Sequence, residues 1–431
     1  MLVTDFMLFL RGGNNRFSDA IRTTILLFLL IIFYQVFYYI KDFSIIYYFS
    51  KIFAPVIVLF ITLFFMIAYS KQIKIGRDGV LVLVAGSYLI LVSALTAYFN
   101  YGQSLHIGVA WQIKVLPLFF FFSVNLMLQA NWVNVGHFYR ATTLLSVLAL
   151  FSYLILYIAI NPADYWHDDS YFFVNDSKGF RFRFPDVPVL LGLFIFFWRW
   201  QLLGRLLDAL VWGVFLGYFV FIHEQRFLLL CVIMLTSYRI FKNSGVLLKA
   251  IVIGVIPIIV MLVFSLDIFI SLLSGNDSSL LARLLTINNI FNTVSESPLG
   301  LMFGYGNLSP EFNGGFEALY GRHFWLSDVG WLGLLYEYGL IGVFLIFYIL
   351  YKIIRYSERL VILREPFLLA LRDLGWIILL MSIIAPRVIY ASGVSATIFA
   401  ILAFTYHTLK KYNTVHIEPM VVMKGENKVV K

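Results

Sequence analysis

Residues 321–342 read GRHFWLSDVGWLGLLYEYGLIG, and within a few positions this stretch changes from water-compatible to membrane-compatible chemistry. Its polar start includes Arg322, His323 and Asp328, and the apolar run that follows contains one acid, Glu337. An apolar run of about 20 residues is long enough to cross the hydrocarbon core of a bilayer as a helix. The stretch therefore predicts a membrane helix with reactive groups at its entrance.

The composition of the whole chain extends this prediction. Its 431 residues are 61% hydrophobic and 13% charged, with a mean hydropathy of +0.89. A soluble chain of this length could not hide so much apolar surface. The apolar runs are long and lack the two-residue alternation of barrel strands. We therefore predict an all-α polytopic membrane protein in which residues 1–431 form a single integral membrane domain.

About twelve helices are predicted to span the membrane. The chain has 32 Lys and Arg against 23 Asp and Glu. With the N-terminus inside, most basic residues fall in inner segments and acids are in excess in outer ones, which is the positive-inside pattern. This predicts that both termini lie in the cytoplasm and gives no reason to expect nucleic acid binding. The predicted spans are residues 21–40, 52–70, 79–98, 109–128, 141–160, 187–204, 206–222, 227–241, 246–270, 329–351, 373–390 and 391–409.

Two predicted outer segments are long, residues 161–185 and residues 271–327, and the second lies between predicted helices 9 and 10. Long loops in compact proteins are usually functional or disordered. The second contains apolar and aromatic residues, Gly and Pro, and no low-complexity run, so we expect it to be ordered with short helices. Within it, ARLLTINNIFNTV has helical spacing, and SPLGLMFGYGN reads as a turn.

Ionisable groups in or beside membrane helices are functional candidates. Arg226 starts an apolar helix in HEQRFLLL, where it either anchors the interface or holds a phosphate through paired hydrogen bonds. Arg283, in the second long segment, is either on a solvated helix face or a second phosphate ligand. Lys114 precedes Pro117 by three residues, so it either faces a cavity near a kink or extends to the surface. Arg387 either binds substrate or anchors a short outer turn.

The segment around residues 321–342 supplies further candidates. His323 lies just outside the predicted membrane, where it is either a general base or an ordinary interfacial histidine. Ser327 and Asp328 are favoured N-cap residues, so we expect them to cap the next helix. Glu337 lies roughly 13 Å into that helix and is expected to pair with a cation.

The first long segment ends in KGFRFRFP, where Arg181 and Arg183 alternate with aromatic residues. This pattern suits a sugar chain, a phosphate or a membrane interface. The acidic residues before it match no metal-ligand spacing, so no metal site is predicted. Cys231 is the single cysteine and is expected to be a small buried apolar residue.

Together these motifs resemble the bacterial O-antigen polymerase and O-antigen ligase superfamily. The topology covers most of the chain, whereas the motif match is confined to roughly residues 223–343. The S-D-x-G form after the histidine looks more like the polymerases, because ligases tend to show a paired histidine run there. The matching residues are Arg226, Arg283, the FGYGN turn at residues 303–307, His323, Ser327, Asp328, Glu337, Gly339 and Gly342.

The resemblance implies a GT-C-like, metal-independent membrane glycosyltransferase without a cofactor. It would polymerise undecaprenyl-diphosphate-linked oligosaccharide repeat units into O-antigen, capsule or exopolysaccharide at the outer face of the inner (cytoplasmic) membrane. Catalytic roles would fall to Arg226 and Arg283, which stabilise the diphosphate leaving group, and to His323 or Asp328 as the base. Residues 271–327 would form part of the active site. The expected substrate-binding residues are Lys114, Arg181, Arg183, Arg322, Arg387 and Glu337.

Two other functions stay open at this point. One is an O-antigen ligase that transfers finished polymer to a lipid acceptor, and the other is a lipid-glycan flippase or transporter. A transporter favours charged groups near the middle of the membrane and short outer loops. This chain instead concentrates its polar groups near the outer rim and in one long segment. A polymerase would act with a flippase and a chain-length regulator, and no residue identifies either partner.

Overall fold

The computed structural model describes residues 16–34, 36, 54–69, 75–159, 173–176, 179–182, 185–223, 226–243, 278–321, 324–383 and 393–425. These residues are largely helical, as predicted. The first part of the chain contains α1 (Arg16–Phe33), α2 (Ala54–Ala68), α3 (Arg77–Tyr101), α4 (Leu105–Trp111), a 3₁₀ helix (Gln112–Phe119), α5 (Phe120–Gln129) and α6 (Val135–Ala159).

The middle and last parts continue this helical pattern around one short β-hairpin. The hairpin and the helices up to residue 243 are β1 (Phe173–Asp176), β2 (Gly179–Phe182), α7 (Val187–Leu203), α8 (Leu206–Tyr218), a π-helix (Phe219–His223) and α9 (Arg226–Asn243). The last part contains α10 (Ser278–Ser295), α11 (Pro298–Phe303), α12 (Gly315–Tyr320), a 3₁₀ turn (Leu326–Asp328), α13 (Trp331–Leu360), a second 3₁₀ turn (Val361–Leu363), α14 (Pro366–Met381) and α15 (Gly393–Gly425).

Four helical stretches of the described chain are long and apolar enough to cross a membrane. They are Arg77–Tyr101, Leu105–Gln129, Val135–Ala159 and Trp331–Leu363, and shorter apolar helices occur at Leu59–Ala68, Val187–Leu203 and Leu206–Ile222. A membrane-embedded helical protein is therefore supported, while the number of twelve spans stays a prediction. The predicted span at residues 246–270 lies outside the described residues.

The predicted span at residues 109–128 is not one regular helix. Its first three residues belong to α4, the 3₁₀ helix follows, and the rest lies in α5. Pro117 lies inside the 3₁₀ helix and has no N–H to donate, which explains why regular α-helix is interrupted there. The expected distortion at Pro117 is therefore present.

Helix α13 continues to Leu360, well beyond the predicted end at residue 351. The prediction stopped where charged residues begin, but a helix need not end where it leaves the hydrocarbon region. Helix α14 likewise begins at Pro366, before the predicted start at residue 373, because proline is well suited to the first turn of a helix.

The described part of the second long segment, residues 278–321 and 324–327, contains short helices. The periodic stretch at residues 282–294 lies within α10, so that prediction is confirmed. The interpretation of residues 297–307 as a turn is wrong in its first half, where α11 forms. Ser297 is the N-cap and accepts a hydrogen bond from the Gly300 amide at 3.3 Å, and Pro298 occupies the first turn.

The hairpin within residues 161–185 was not predicted. Strand β1 pairs antiparallel with β2, and Val174 lies opposite Arg181. The two strands have only four residues each, which is short for recognition by alternation.

The centre of the bundle is built around α7, whose residues 188–198 are all buried. A helix that is apolar on every side belongs in a core or a membrane interior. Helix α7 packs against α6, α8 and α14. By contrast, α2, α3 and α6 expose large apolar side chains, including Phe60, Phe99 and Ile158. A protein with a filled core and an apolar exterior is suited to a lipid environment.

Helices α3 and α13 run antiparallel and are bonded at both ends. At one end the hydroxyls of Tyr101 and Tyr336 are 2.5 Å apart. At the other end the Tyr356 hydroxyl lies 3.0 and 2.9 Å from the two carboxylate oxygens of Asp78. At 1.5 Å per residue these contacts are about 30 Å apart, the thickness of a hydrocarbon core. We call the end with Tyr101 and Tyr336 the loop end and the other the tail end.

Candidate functional site

The candidate site surrounds a point at Gly339 where the helical backbone of α13 is interrupted. Gly339 lies inside α13 with φ 67° and ψ −177°, a conformation that is essentially restricted to glycine. A Cβ atom at Gly339 would lie 2.3 Å from the Met302 carbonyl oxygen and 2.5 Å from the Gly304 nitrogen. The Tyr305 amide donates a hydrogen bond of 2.7 Å to the Tyr336 carbonyl. The backbone that follows α11 is therefore bonded to the backbone of α13 at the break.

The turn at residues 304–307 requires its glycines for the same reason. Gly304 has φ +81°, and a Cβ there would lie 2.6 Å from the Gly339 nitrogen. Gly306 has φ +83°, and a Cβ there would lie 2.4 Å from the Ser93 carbonyl oxygen of α3. The turn therefore fits between the backbones of α3 and α13, and a side chain at either glycine would separate them.

Gln103, just after α3, holds the next part of this turn. Its side-chain nitrogen donates to the Asn307 carbonyl at 3.2 Å, and its side-chain oxygen accepts from the Ser309 amide at 2.8 Å. Gln103 and residues 304–309 are all buried. The irregular backbone of the turn is thus enclosed by protein and supplied with hydrogen bonds, as buried polar backbone requires.

The carboxylate of Glu337 lies beside the break and is only 2% exposed. Its Oε1 accepts hydrogen bonds from Lys114 Nζ at 2.6 Å, Gln112 Nε2 at 3.0 Å and Asn307 Nδ2 at 2.8 Å. The expectation that Glu337 pairs with a cation is confirmed. We call Gln112, Lys114, Asn307 and Glu337 the Glu337 cluster. It brings together the 3₁₀ helix, the turn after α11 and the loop end of α13.

Further hydrogen bonds fix the neutral members of this cluster. Gln112 Nε2 also donates to Ser93 Oγ at 2.7 Å, and the Tyr338 hydroxyl donates to Gln112 Oε1 at 2.9 Å. The Trp111 indole N–H donates to Asn307 Oδ1 at 3.1 Å. The cluster pairs one ammonium with one carboxylate and surrounds them with amide and hydroxyl groups. Such a network orients side chains and keeps a carboxylate stable in an apolar region.

A group of aromatic side chains lies closer to the loop end. The hydroxyl of Tyr336 is buried and lies 2.5 Å from the Tyr101 hydroxyl and 3.0 Å from the Tyr320 hydroxyl. The rings of Tyr320 and Phe324 are stacked with centroids 4.3 Å apart, and Phe316 contacts both. Partly exposed hydroxyls beside ring faces can donate and accept hydrogen bonds toward a polar ligand.

Asp328 is exposed in the 3₁₀ turn Leu326–Asp328, where its Oδ1 accepts from the Ser327 hydroxyl at 2.9 Å. The prediction that Ser327 and Asp328 cap α13 is wrong. The N-cap is Gly330, with φ 57° and no side-chain hydrogen bond. A Cβ at Gly330 would lie 1.7 Å from the Ile383 carbonyl oxygen, so the backbone just after α14 leaves no room for a side chain at this N-cap.

Arg283 is exposed on α10. One turn further along, Thr286 Oγ1 accepts a hydrogen bond of 3.1 Å from the Trp325 amide. This bond ties the helix that carries Arg283 to the chain that leads into the Asp328 turn. Thr286 is buried whereas Arg283 is exposed, so this bond positions α10 beside residue 325 without directing Arg283 toward Asp328. Among the described contacts, none joins Arg283 to Asp328.

The remaining predicted residues are described less fully. Arg226 is the first residue of α9, and Arg181 lies in β2 opposite Val174, but their side chains lie outside the described part of the structure. Arg183, Arg322, His323 and Arg387 lie outside the described residues. Of the predicted site residues, Lys114 and Glu337 are in direct contact.

A search based on charge alone missed Gln112, Asn307 and Tyr336. Each is neutral, and their positions follow from tertiary contacts. A usable signal was available for Gln112, because an amide within an apolar run needs a hydrogen-bonding partner. Asn307 ends the FGYGN turn, and no spacing in the sequence indicates that its side chain reaches Glu337.

Two further buried charge clusters occur at the tail end. Asp78 accepts from His407 Nε2 at 2.8 Å and Tyr356, with Lys352 Nζ at 3.4 Å. Asp373 is fully buried and is contacted by two arginines, Arg239 at 2.9 Å and Arg372 at 2.9 Å, while the Trp198 indole donates to it at 2.7 Å. Within the described chain, no three His, Cys, Asp or Glu side chains are grouped closely enough to hold a metal ion.

Two comparisons with known proteins find no relative of this chain. A scan against protein-family models finds no match for the chain, and a search of curated proteins finds none either.

Proposed function

We propose that this protein is a membrane glycosyltransferase that polymerises lipid-linked oligosaccharide repeat units at the membrane face on which its loop end lies. The observation that carries the proposal is the attachment of a polar loop to a broken membrane helix. The loop contains Arg283 and Asp328 and is bonded to α13 through the Glu337 cluster. A substrate with a hydrophilic glycan and an apolar anchor needs a site where these two environments meet.

The placement of buried charge supports an enzyme over a transporter. In the described chain, four of the buried charged side chains lie within about two turns of an end of helices that have 13 to 30 residues: Asp78, Asp208, Arg239 and Glu337. The other two, Arg372 and Asp373, are paired with each other in the middle of the 16-residue helix α14. Transporters place substrate and ion sites near the middle of the bilayer. Charges held near both ends of the bundle instead suit a protein that works at a membrane surface.

The chemistry of the proposed reaction assigns roles to four of the predicted residues. A hydroxyl oxygen of the acceptor sugar attacks the anomeric carbon of the donor, and the bond from that carbon to the lipid diphosphate breaks. His323 or Asp328 takes the proton of the attacking hydroxyl. Arg226 and Arg283 stabilise the negative charge that develops on the diphosphate. Attack opposite the leaving group inverts the anomeric carbon.

The activity is tested by the lipid-linked glycan profile of cells that lack this protein, extracted and analysed by mass spectrometry. Accumulation of single repeat units on the face of the loop end is the expected result. Accumulation of long lipid-linked polymer indicates a ligase. Repeat units retained on the opposite face indicate a flippase, and an unchanged profile contradicts all three activities.

Substitution of the arginines tests their roles. Arg283→Ala and Arg226→Ala are each expected to abolish polymer while the protein stays inserted in the membrane, because the diphosphate loses a cationic partner. Arg355→Ala is a matched control, since Arg355 is exposed near the tail end of α13. Wild-type chain lengths in both the Arg226 and the Arg283 variant would contradict the assignment.

A further inference from the structure

The turn after α11 lies at the depth of the membrane helices. Gly339, which contacts Gly304, is about 5 Å along α13 from Tyr336, the residue that marks the loop end of this helix. Gly306 contacts Ser93 and Ala97 of α3, which are about 12 and 6 Å along that helix from Tyr101. Two helices that are long enough to cross a membrane therefore both contact the turn below their loop ends.

Helix α11, which leads directly into this turn, exposes apolar side chains. Leu299 is 71% exposed, Met302 44% and Phe303 40%. Helix α11 packs on α13 and also contacts α3. Both neighbours expose large apolar residues in the same half of the bundle, among them Phe99 on α3 and Phe344 on α13. The exposed face of α11 thus continues the apolar exterior of two membrane helices.

The polar groups of residues 297–310 are arranged as a lipid environment requires. Residues 297–310 contain no charged side chain, and Glu296 and Glu311 flank them. The non-helical backbone at residues 304–309 is buried within the protein, whereas the part that exposes side chains is helical. Irregular backbone at membrane depth is tolerated only where protein or a water-filled cavity surrounds it.

We propose that residues 297–307 form a re-entrant segment. Helix α11 lies in the hydrocarbon region of the leaflet at the loop end, where Leu299, Met302 and Phe303 contact lipid acyl chains. This inference revises the boundary of the long outer segment at residues 271–327, part of which re-enters the membrane. It does not depend on the proposed activity, because it rests on the depth and exposure of α11 alone.

The test uses spin labels on single cysteines. Cys231 is buried and is the single cysteine of the chain, so Cys231→Ala provides a background without a native thiol. Leu299→Cys and Met302→Cys carry the label on α11. Phe344→Cys is the lipid-facing reference on α13, and Asn313→Cys is the exposed loop reference between α11 and α12. The full-length protein is reconstituted in phospholipid vesicles.

Collision of each label with oxygen, which partitions into lipid, is compared with collision with a water-soluble nickel chelate. Labels at positions 299 and 302 are expected to match position 344, with high oxygen and low nickel accessibility. Nickel accessibility equal to that at position 313 would overturn the inference. Low accessibility to both reagents would also overturn it, since protein would then cover α11. The two α11 positions serve as independent variants if one substitution prevents folding.

Discussion

At the scale of single residues, the loop end depends on how Glu337 is neutralised. A carboxylate in an apolar region is tolerated when a cation and further donors satisfy it. Lys114 supplies the charge, and Gln112 and Asn307 supply amide hydrogens. Sequence reasoning could identify both charged members, because charge within an apolar run is conspicuous. It could not identify Asn307 as a partner, since that contact depends on how the turn after α11 meets α13.

A neutral side chain at position 337 tests how much the ion pair between Glu337 and Lys114 contributes to the free energy of unfolding. Glu337→Gln keeps an acceptor for the amides but leaves Lys114 without its carboxylate. We expect a loss of about 2 kcal/mol in the free energy of unfolding. Breaking a fully buried pair typically costs about 3–5 kcal/mol, and Lys114 remains 19% exposed. Thermal unfolding of the detergent-solubilised protein measures the loss.

The matched experiment is a double-mutant cycle with Lys114→Met. The double variant should be less destabilised than the sum of the two single variants, by about 0.5–3 kcal/mol for residues in one network. Strictly additive effects would show that the two side chains do not stabilise each other.

At the scale of elements, the sequence pattern found α10 and missed α11. Helix α10 has 18 residues, so its periodicity is visible. Helix α11 has six residues, two of them Pro298 and Gly300. An isolated helix of that length does not form in water. It forms here because Ser297 caps it and because its carboxyl end packs on the break in α13, and neither contact is visible as a periodic pattern.

Gly339→Ala tests the contact between these two elements. The variant forces a side chain into a conformation that costs about 1–3 kcal/mol. It also overlaps the Met302 carbonyl. Overpacking of this kind adds about 1–3 kcal/mol. We expect a total loss of about 3 kcal/mol or more, with faster amide hydrogen exchange in residues 298–307, as α11 separates from α13.

Gly213→Ala is the matched control for this substitution. Gly213 lies within α8, and no atom lies within 4 Å of a Cβ placed there. Alanine at a helical glycine with open space stabilises by about 0.5–1 kcal/mol. If both variants changed stability equally, the close approach of α11 to α13 would be wrong.

At the scale of the whole molecule, composition was enough to predict a helical membrane protein, and the structure supports that class. Hydropathy could not place helix ends at the tail end, since α13 continues through charged residues to Leu360. It also could not reveal that Asp373 would be enclosed by arginines from α9 and α14. Such contacts depend on which helices become neighbours, and a hydropathy pattern treats each helix separately.

Asp373→Asn should be among the most destabilising single changes in the described chain. It leaves the buried guanidinium groups of Arg239 and Arg372 without the carboxylate between them. We expect a loss of about 3–5 kcal/mol, the usual result of removing one partner from a buried pair. Chemical or thermal unfolding measures it. Glu311→Gln, at an exposed position, should change stability by less than about 0.5 kcal/mol.

The contact between Gly304 and Gly339 also limits how the molecule can vary. Each glycine is confined by main-chain atoms of the other's segment. A larger residue at one position cannot be accommodated by a smaller side chain at its partner, because the partner has no side chain to shorten. Genetic selections that repair a defect at either glycine should therefore yield true revertants at that codon. Compensating substitutions elsewhere would have to move an entire helix.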